Sequence, residues 1–257
     1  IKMTSIKTFI KFLLKIINLR ITKIDTSISI NKDDLLPFQK DNQNYELYFE
    51  GLKKSKNEKS DNDFKQSRFL DLISLVEFIL KKNNTHDFVE VGCWHGHSSY
   101  MICHLIKKYK KNINLNIFDS FKGLSKETIS DKNLLKFNDN QILKIRRQFE
   151  ANEDFVKNEV LGEFDFINIY KGWVPEKFYI LKNKKFSFVH IDVDLYEPTI
   201  ESLKFFYPRL IDGGVIVCDD YNSKVFDGAK RACDEFFGDK EVKFSFAPAI
   251  GSFFIIK

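Results

Sequence analysis

Apolar positions along this chain switch repeatedly between two spacings, and the switching predicts a fold class. Continuous β-branched and aromatic runs at 87–91, 113–118 and 164–169, and at the start of 186–199 and 213–221, have the look of strands buried on both faces. Between and around them the period lengthens to that of helices, at 66–82, 97–109, 140–149, 198–206 and 227–237. In the first of these, Phe69, Leu70, Ile73, Val76 and Ile79 or Leu80 share one face. The chain closes with two short strands around the Pro-Ala-Ile-Gly bend of 243–257, after an Asp212-Gly213-Gly214 turn earlier on. Strands alternating with helices at this spacing predict an α/β fold, a mostly parallel sheet with helices on both faces. Residues 25–65 and 122–162 are polar and show no sustained period; the first reads as a flap or linker. The division predicted is a front segment, 1–65, and a single α/β domain, 66–257.

Within the front segment, residues 3–24 form an amphipathic helix. Lys7, Lys11 and Lys15 recur every four residues, opposite Ile6, Phe9, Ile10, Leu13, Ile16 and Ile17. Two readings stay open: a helix lying peripherally on the inner face of an anionic membrane, or one packed on the domain or on a second subunit of a homodimer. There is no small-residue cleavage site behind it and no run apolar enough to span a bilayer. Net charge is +5 and the lysines are scattered, which argues against a nucleic-acid partner. The 4 cysteines make no CxxC pair and read as reduced thiols of a cytoplasmic protein.

Two of the apolar runs end abruptly in acid, Asp192 and Asp194 after the first, Asp219 and Asp220 after the second. Buried carboxylates are costly unless a positive charge compensates them. On neighbouring parallel strands, these four would converge at the rim where open α/β sheets bind ligands. They would repel one another unless a cation joined them. Upstream, Gly92 and Gly96 form a turn between strand and helix, with Glu90 before it and Ser98 and Ser99 opening the helix. The spacing is G-x-x-x-G rather than that of a dinucleotide fingerprint. Asp119 tips the next strand, where a carboxylate can accept hydrogen bonds from ribose hydroxyls.

The stretches EVGCWHGHSS, DSFKGL, IYKGW, HIDVDLYEPTIESLKFFYPRLIDGGVIVCDDY and GAKRACDEFF, taken together over 66–257, resemble the metal-dependent sugar O-methyltransferases typified by the macrocin, mycinamicin and novobiocin enzymes. The resemblance implies a Rossmann-like class I fold that binds S-adenosylmethionine, with seven strands of which the last is antiparallel. It implies Glu90, Gly92, Gly96 and Ser98 at the methionine end of the cofactor, Asp119 and Ser120 at the ribose, and Gly172 and Trp173 near the adenine. It implies Asp192, Asp219 and Asp220 as ligands of Mg²⁺ and Asp194 as the general base. The chemistry of the residues agrees. A carboxylate of ordinary pKa, near 4, is far too weak to strip a proton from an alcohol, and a hard cation bound through oxygens acidifies that alcohol. Ligands that are all Asp favour Mg²⁺ over Zn²⁺. Spacing along a strand puts Asp194 on the face of Asp192, and His190 on that face too. The acceptor expected is a small molecule or glycan carrying a sugar hydroxyl. Two rivals are a methyltransferase acting on a catechol-like phenol and a metal-dependent glycosyltransferase using the D-x-D pair.

Overall fold

A computed structural model describes residues 43–247 and 252–257. The helix expected at 3–24 and the bend expected within 248–251 lie outside the described residues. In chain order the elements are α1 (Gln43–Lys54), α2 (Asp63–Leu80), β1 (Phe88–Val91), α3 (His97–Lys108), β2 (Leu115–Asp119), α4 (Asp139–Arg147), β3 (Ile167–Lys171), β4 (Phe186–Ile191), α5 (Tyr196–Phe206), β5 (Leu210–Cys218), α6 (Asp227–Phe237), β6 (Phe244–Phe246) and β7 (Phe253–Ile256).

The strands form one seven-stranded sheet in the order β3-β2-β1-β4-β5-β7-β6. The first five are mutually parallel, and β7 runs antiparallel to both its neighbours. This is the predicted architecture. Strand order reverses direction between β1 and β4, the position at which open α/β sheets leave a crevice.

Alternation along each strand sorts the core into two layers. Phe88, Leu115, Phe188, Val215 and Val217 face α1, α2 and α3, packing with Tyr48, Phe69, Ile73, Val76 and Met101. Val89, Val91, Phe118, Val189, Ile191 and Ile216 face the opposite way, onto Leu203, Phe206 and Cys233 of α5 and α6. Each large apolar side chain so buried contributes about 1.5–3 kcal/mol. Helix α2 starts where Asn62 caps it, its side chain accepting from the Lys65 amide at 2.9 Å.

Three differences from the sequence expectations have physical causes. The stretch expected to lack a pattern contains α1, which buries Tyr48 and Leu52 in the main core. Its large apolar residues, Tyr45, Leu47, Tyr48, Phe49 and Leu52, span little more than two turns, too short a run to stand out as a period. Gly213 and Gly214 are not a turn before the second acid-tipped strand; β5 already begins at Leu210, and its pairing with β4 shifts register there. The pair of acids after β4 is also not on the strand. β4 ends at Ile191, and Asp192 and Asp194 occupy the loop into α5.

All four cysteines are buried and unpaired. Among the described residues, no helix is long and apolar enough to cross a membrane.

Candidate active site

The register of the sheet delivers the acids to one place. Ile191 of β4 pairs with Cys218 of β5, so Asp192 and Asp219 leave adjacent strand tips side by side, and the Asp219 amide donates to the Ile191 carbonyl at 2.9 Å. Side-chain oxygens of Asp192, Asp194 and Asp220 all lie within 4.8 Å of one another. A second grouping of the same tightness joins Asp192 to Asp219 and His190. Asp194 reaches the cluster through its backbone rather than through strand alternation. Its φ is +62°, a left-handed conformation that Asp tolerates better than most residues.

Electrostatics shows what holds these groups and what does not. Burial alone would raise the Asp219 carboxyl, but the Arg68 guanidinium and His190 hold it down at about 2, helped by a 2.9 Å hydrogen bond from the Ser252 hydroxyl. Burial and the charge of Asp219 push Asp192 up to about 7, against the pull of His190. Asp194 is pushed well above the usual carboxylate range by burial and then by Asp220. Asp220 is raised by burial, Asp192 and Asp219, and its Oδ2 is buried without a hydrogen-bond partner. Arg68 and His190 together bring too little positive charge for four acids. An orphaned carboxylate oxygen inside an all-oxygen donor set fits a hard divalent cation such as Mg²⁺.

Behind the acids lies a buried relay. His190 is fully buried; its Nδ1 donates to Glu90 Oε1 at 3.0 Å, and its Nε2 stands 3.8 Å from Asp219 Oδ1, an ion-pair distance. Burial pushes the imidazole down, and Asp219 and Glu90 more than offset this, holding it up at about 10. Glu90 spends its other oxygen on the Ser99 hydroxyl. Glu90 was expected at the methionine end of the cofactor site, yet its oxygens are taken up by His190 of β4 and Ser99 of α3, and it does not line the crevice. Ser98 is likewise buried and away from it.

The crevice itself runs from β2 and β3 to the acids, a cleft of about 550 Å³ counted out to its open mouth. Phe118, Gly172, Trp173 and Val174 wall one end; Gly92, Trp94, Asp119 and Ser120 line the middle; Asp192, Val193, Asp194 and Pro198 close the other. Flat apolar walls, a carboxylate and hydroxyl, and then an acidic end suit an adenosyl sulfonium in that order. Asp119 does more than was expected of it. Its Oδ2 accepts from the amides of Cys93 at 2.8 Å and Trp94 at 2.9 Å, and its Oδ1 from Phe121 at 2.7 Å. Of a carboxylate's roughly four lone-pair positions three are filled, so one remains for a ligand's hydroxyl. Gly92 does line the cleft, with φ at +86°, but what demands a glycine is the protein itself. A Cβ there would lie 1.8 Å from the Asp192 carbonyl oxygen. Gly96, with φ at +81°, packs against Val156 and sits outside the cleft lining.

Two residues of α2 complete the site and were not anticipated. Arg68 pairs with Asp219 and lies 3.7 Å from Asp220, and Lys65 is buried one turn before it. The only hint in the sequence is their i, i+3 spacing beside Phe69, which puts two cations at the edge of an apolar face.

The protein-family model described as macrocin-O-methyltransferase (TylF) matches residues 62–248. Among curated relatives, a tetracenomycin-C 4'-O-methyltransferase of Streptomyces olivaceus, whose substrate carries a 2,3-dimethoxy-rhamnosyl group, is 24% identical over 168 residues, 63% of this chain and 62% of that one. The mycinamicin III 3''-O-methyltransferase of Micromonospora griseorubida is 26% identical over 161 residues, 60% of this chain and 62% of that one. The match thus spans a little under two thirds of the length of these relatives. Among solved structures, the O-methyltransferase NovP superposes with a TM-score of 0.61 at 20% identity, covering 73% of this chain and 78% of NovP.

Proposed function

Because the chain belongs to the macrocin-O-methyltransferase family, we propose that it transfers a methyl group from S-adenosylmethionine to a hydroxyl of a sugar or glycoconjugate, with Mg²⁺ held by Asp192, Asp219 and Asp220. The observation that carries the reading is the convergence of carboxylates from two strand tips at the acidic end of the cleft. The two matched relatives are named for O-methylation of a rhamnosyl-bearing tetracenomycin and of mycinamicin III, which favours a sugar-bearing acceptor.

Gly92, Asp119, Ser120, Gly172 and Trp173 would hold the donor, whose sulfonium supplies the electrophilic methyl. The divalent ion supplies positive charge that acidifies an acceptor hydroxyl and compensates the acids. Asp194 removes the hydroxyl proton at its carboxylate oxygen, from a hydroxyl that a bound cation would make acidic enough to give it up. Asp192 and Asp220 orient the acceptor oxygen toward the cleft, and His190 keeps Asp219 turned to the same point from behind. Val193 and Pro198 line the same cleft with apolar surface. The protein's share of the rate is then positioning and charge placement.

Incubation with S-adenosylmethionine and a panel of free and nucleotide-linked sugars, read by mass spectrometry, tests the reading. A product heavier by one methylene, lost on chelation with EDTA and restored by Mg²⁺, is expected. Transfer that proceeds at full rate in EDTA would remove the ion from the mechanism, and transfer to catechols alone would replace the acceptor.

A further inference from the structure

Lysines scattered along the sequence are gathered at one end of the fold. The cleft lies at the C-terminal tips of β1, β2 and β4, and the opposite end of the sheet, where those strands begin, carries cations. Lys82 precedes β1, Lys111 precedes β2, and Lys184 and Lys185 precede β4. Arg209 precedes β5, Lys243 precedes β6, and antiparallel β7 ends beside Lys257. Hydrogen bonds join them into one surface. Lys111 Nζ donates to the Lys82 carbonyl at 2.7 Å, Lys82 Nζ to that of Gly213, and the Gly213 amide to the Lys257 carbonyl at 2.8 Å. Lys257 Nζ donates to the carbonyls of Tyr207 and Leu210, both at 3.0 Å. Lys185 Nζ donates to that of Pro208 at 3.4 Å, and Arg209 Nε to that of Lys182 at 3.0 Å.

These partners are neutral carbonyls, so the bonds hold the side chains in place without cancelling their charge. Among the described residues, the carboxylates that pair with this group are Asp87, 3.3 Å from Lys184, and Asp212, which pairs with Lys243. The cations also act on one another. Burial and then Lys243 lower the Lys82 ammonium below its ordinary value, and burial and then Lys185 lower that of Lys257. A lysine after a helix complements the helix dipole, which accounts for Lys82 after α2. It does not account for Lys184, Lys185 and Lys257, which flank strands.

Apolar side chains stand exposed among these charges. Lys82 Nζ lies 4.3 Å over the Phe78 ring, which is 43% exposed, and Phe244, 49% exposed, follows Lys243. Tyr179 and Ile180, at 62% and 44%, shortly precede Lys182. Lysines interspersed with exposed aromatic and aliphatic side chains fit an anionic lipid surface, where charge attracts headgroups and apolar groups enter the interface. Phosphates of a nucleic acid favour the fork of arginine. Arg209 is the one arginine of this set, and its guanidinium lies 3.9 Å over the Phe205 ring while its Nη1 donates to the Phe205 carbonyl.

We propose that the N-terminal end of the sheet docks on an anionic lipid bilayer, with the cleft at the far end of the strands facing water. The proposal stands on this surface alone, whatever the cleft transfers. An acceptor then reaches the docked protein from the aqueous side.

Flotation with vesicles tests it. The full chain is mixed with vesicles of phosphatidylcholine and with vesicles that also contain phosphatidylserine. Beside it run a variant carrying Lys182→Gln, Lys184→Gln and Lys185→Gln, and another carrying Tyr179→Ser. All four side chains are exposed, so both variants should fold. The full chain is expected on the phosphatidylserine vesicles and not on the neutral ones. Each lysine near such a surface strengthens binding about fivefold, so the triple variant should bind on the order of a hundredfold more weakly. Tyr179→Ser should bind several-fold more weakly. No binding to the phosphatidylserine vesicles overturns the proposal, as does full binding by the triple variant, which would put the contact elsewhere, at 3–24 for example. A chain that ignores vesicles but binds duplex DNA, and loses that binding with the lysines, has a nucleic-acid surface instead, and the proposal falls.

Discussion

Arg68 and Asp219 stand 151 positions apart in the sequence and form an ion pair beneath the tips of β4 and β5. The same guanidinium reaches Asp220 at 3.7 Å. It is the one arginine that α2 sends into the acid cluster, and without it only His190 is left to offset the buried carboxylates. Removing one partner of a buried ion pair costs about 3–5 kcal/mol because the other charge is left uncompensated. For a chain of this size, Arg68→Met is therefore expected to lower the melting temperature by roughly 10 °C in EDTA. Added Mg²⁺ should recover part of that loss, since it supplies charge to the same carboxylates. Thermal melts with and without the ion check both halves; a melting temperature unchanged in EDTA would show that Arg68 is not the compensating charge.

Asp194 offers a cleaner separation of binding from chemistry. Its left-handed backbone is one that Asn also adopts readily, so Asp194→Asn removes the proposed base without adding strain. The expected result is a fall in the methyl-transfer rate of about 10²–10⁴-fold, the usual contribution of a general base. Affinity for S-adenosylmethionine should stay within about twofold, well under the tenfold that 1.4 kcal/mol represents. Single-turnover rates alongside calorimetry read the two quantities. Retained turnover would exclude Asp194 as the proton acceptor.

How far the site was legible follows from what each residue costs. Asp192, Asp219 and Asp220 stood out because carboxylates at the ends of buried strands have no cheap structural reason to be there. Arg68 and Lys65 did not, because charges on a helix are ordinarily solvated, and only the packing of α2 on the face of β4 and β5 buries these two. Glu90 was assigned to the cofactor by the family resemblance alone. Its true partner, His190, is its register neighbour on β4, and that pairing exists only once β1 and β4 are adjacent. Strand alternation put Asp194 on the right side for the wrong reason, since the strand has ended and one unusual φ does the work.

Gly92 is where fold and site constrain each other most tightly. Its φ of +86° disfavours any side chain, and a Cβ would sit 1.8 Å from the Asp192 carbonyl oxygen, so the loop carrying Asp192 would have to move. Gly92→Ala is expected to destabilise the protein by roughly 3 kcal/mol or more, beyond the usual range for a single substitution. It should also weaken Mg²⁺ binding at least about tenfold, because Asp192 is the acid common to both carboxylate groupings. Chemical denaturation and titration with the ion measure these. Normal ion affinity in a destabilised Gly92→Ala would mean that the loop shifts as a rigid piece and that the turn serves stability alone.

Acid sensitivity should have a source far from the carboxylate cluster. His97, at the start of α3, donates its Nε2 proton to the Tyr48 carbonyl of α1 at 2.9 Å and packs between the Tyr48 and Phe69 rings. Burial, followed by the nearby charge of Lys65, lowers its pKa from 6.5 to about 3. The unfolded chain takes up this proton first as pH falls. The stability contributed by a neutral His97 is therefore complete above about pH 6.5 and is lost progressively as pH drops toward 3. At pH 5 the loss from this one group is about 2 kcal/mol relative to pH 8. His97→Gln, whose amide can still donate to the Tyr48 carbonyl, should be less stable at pH 8 but flatter between pH 7 and 5 by about that amount. Urea unfolding of both proteins across that range reads the difference, in which the acids common to both cancel. Parallel pH profiles would mean that His97 is protonated in the folded protein, and that its contact with α1 tolerates the charge.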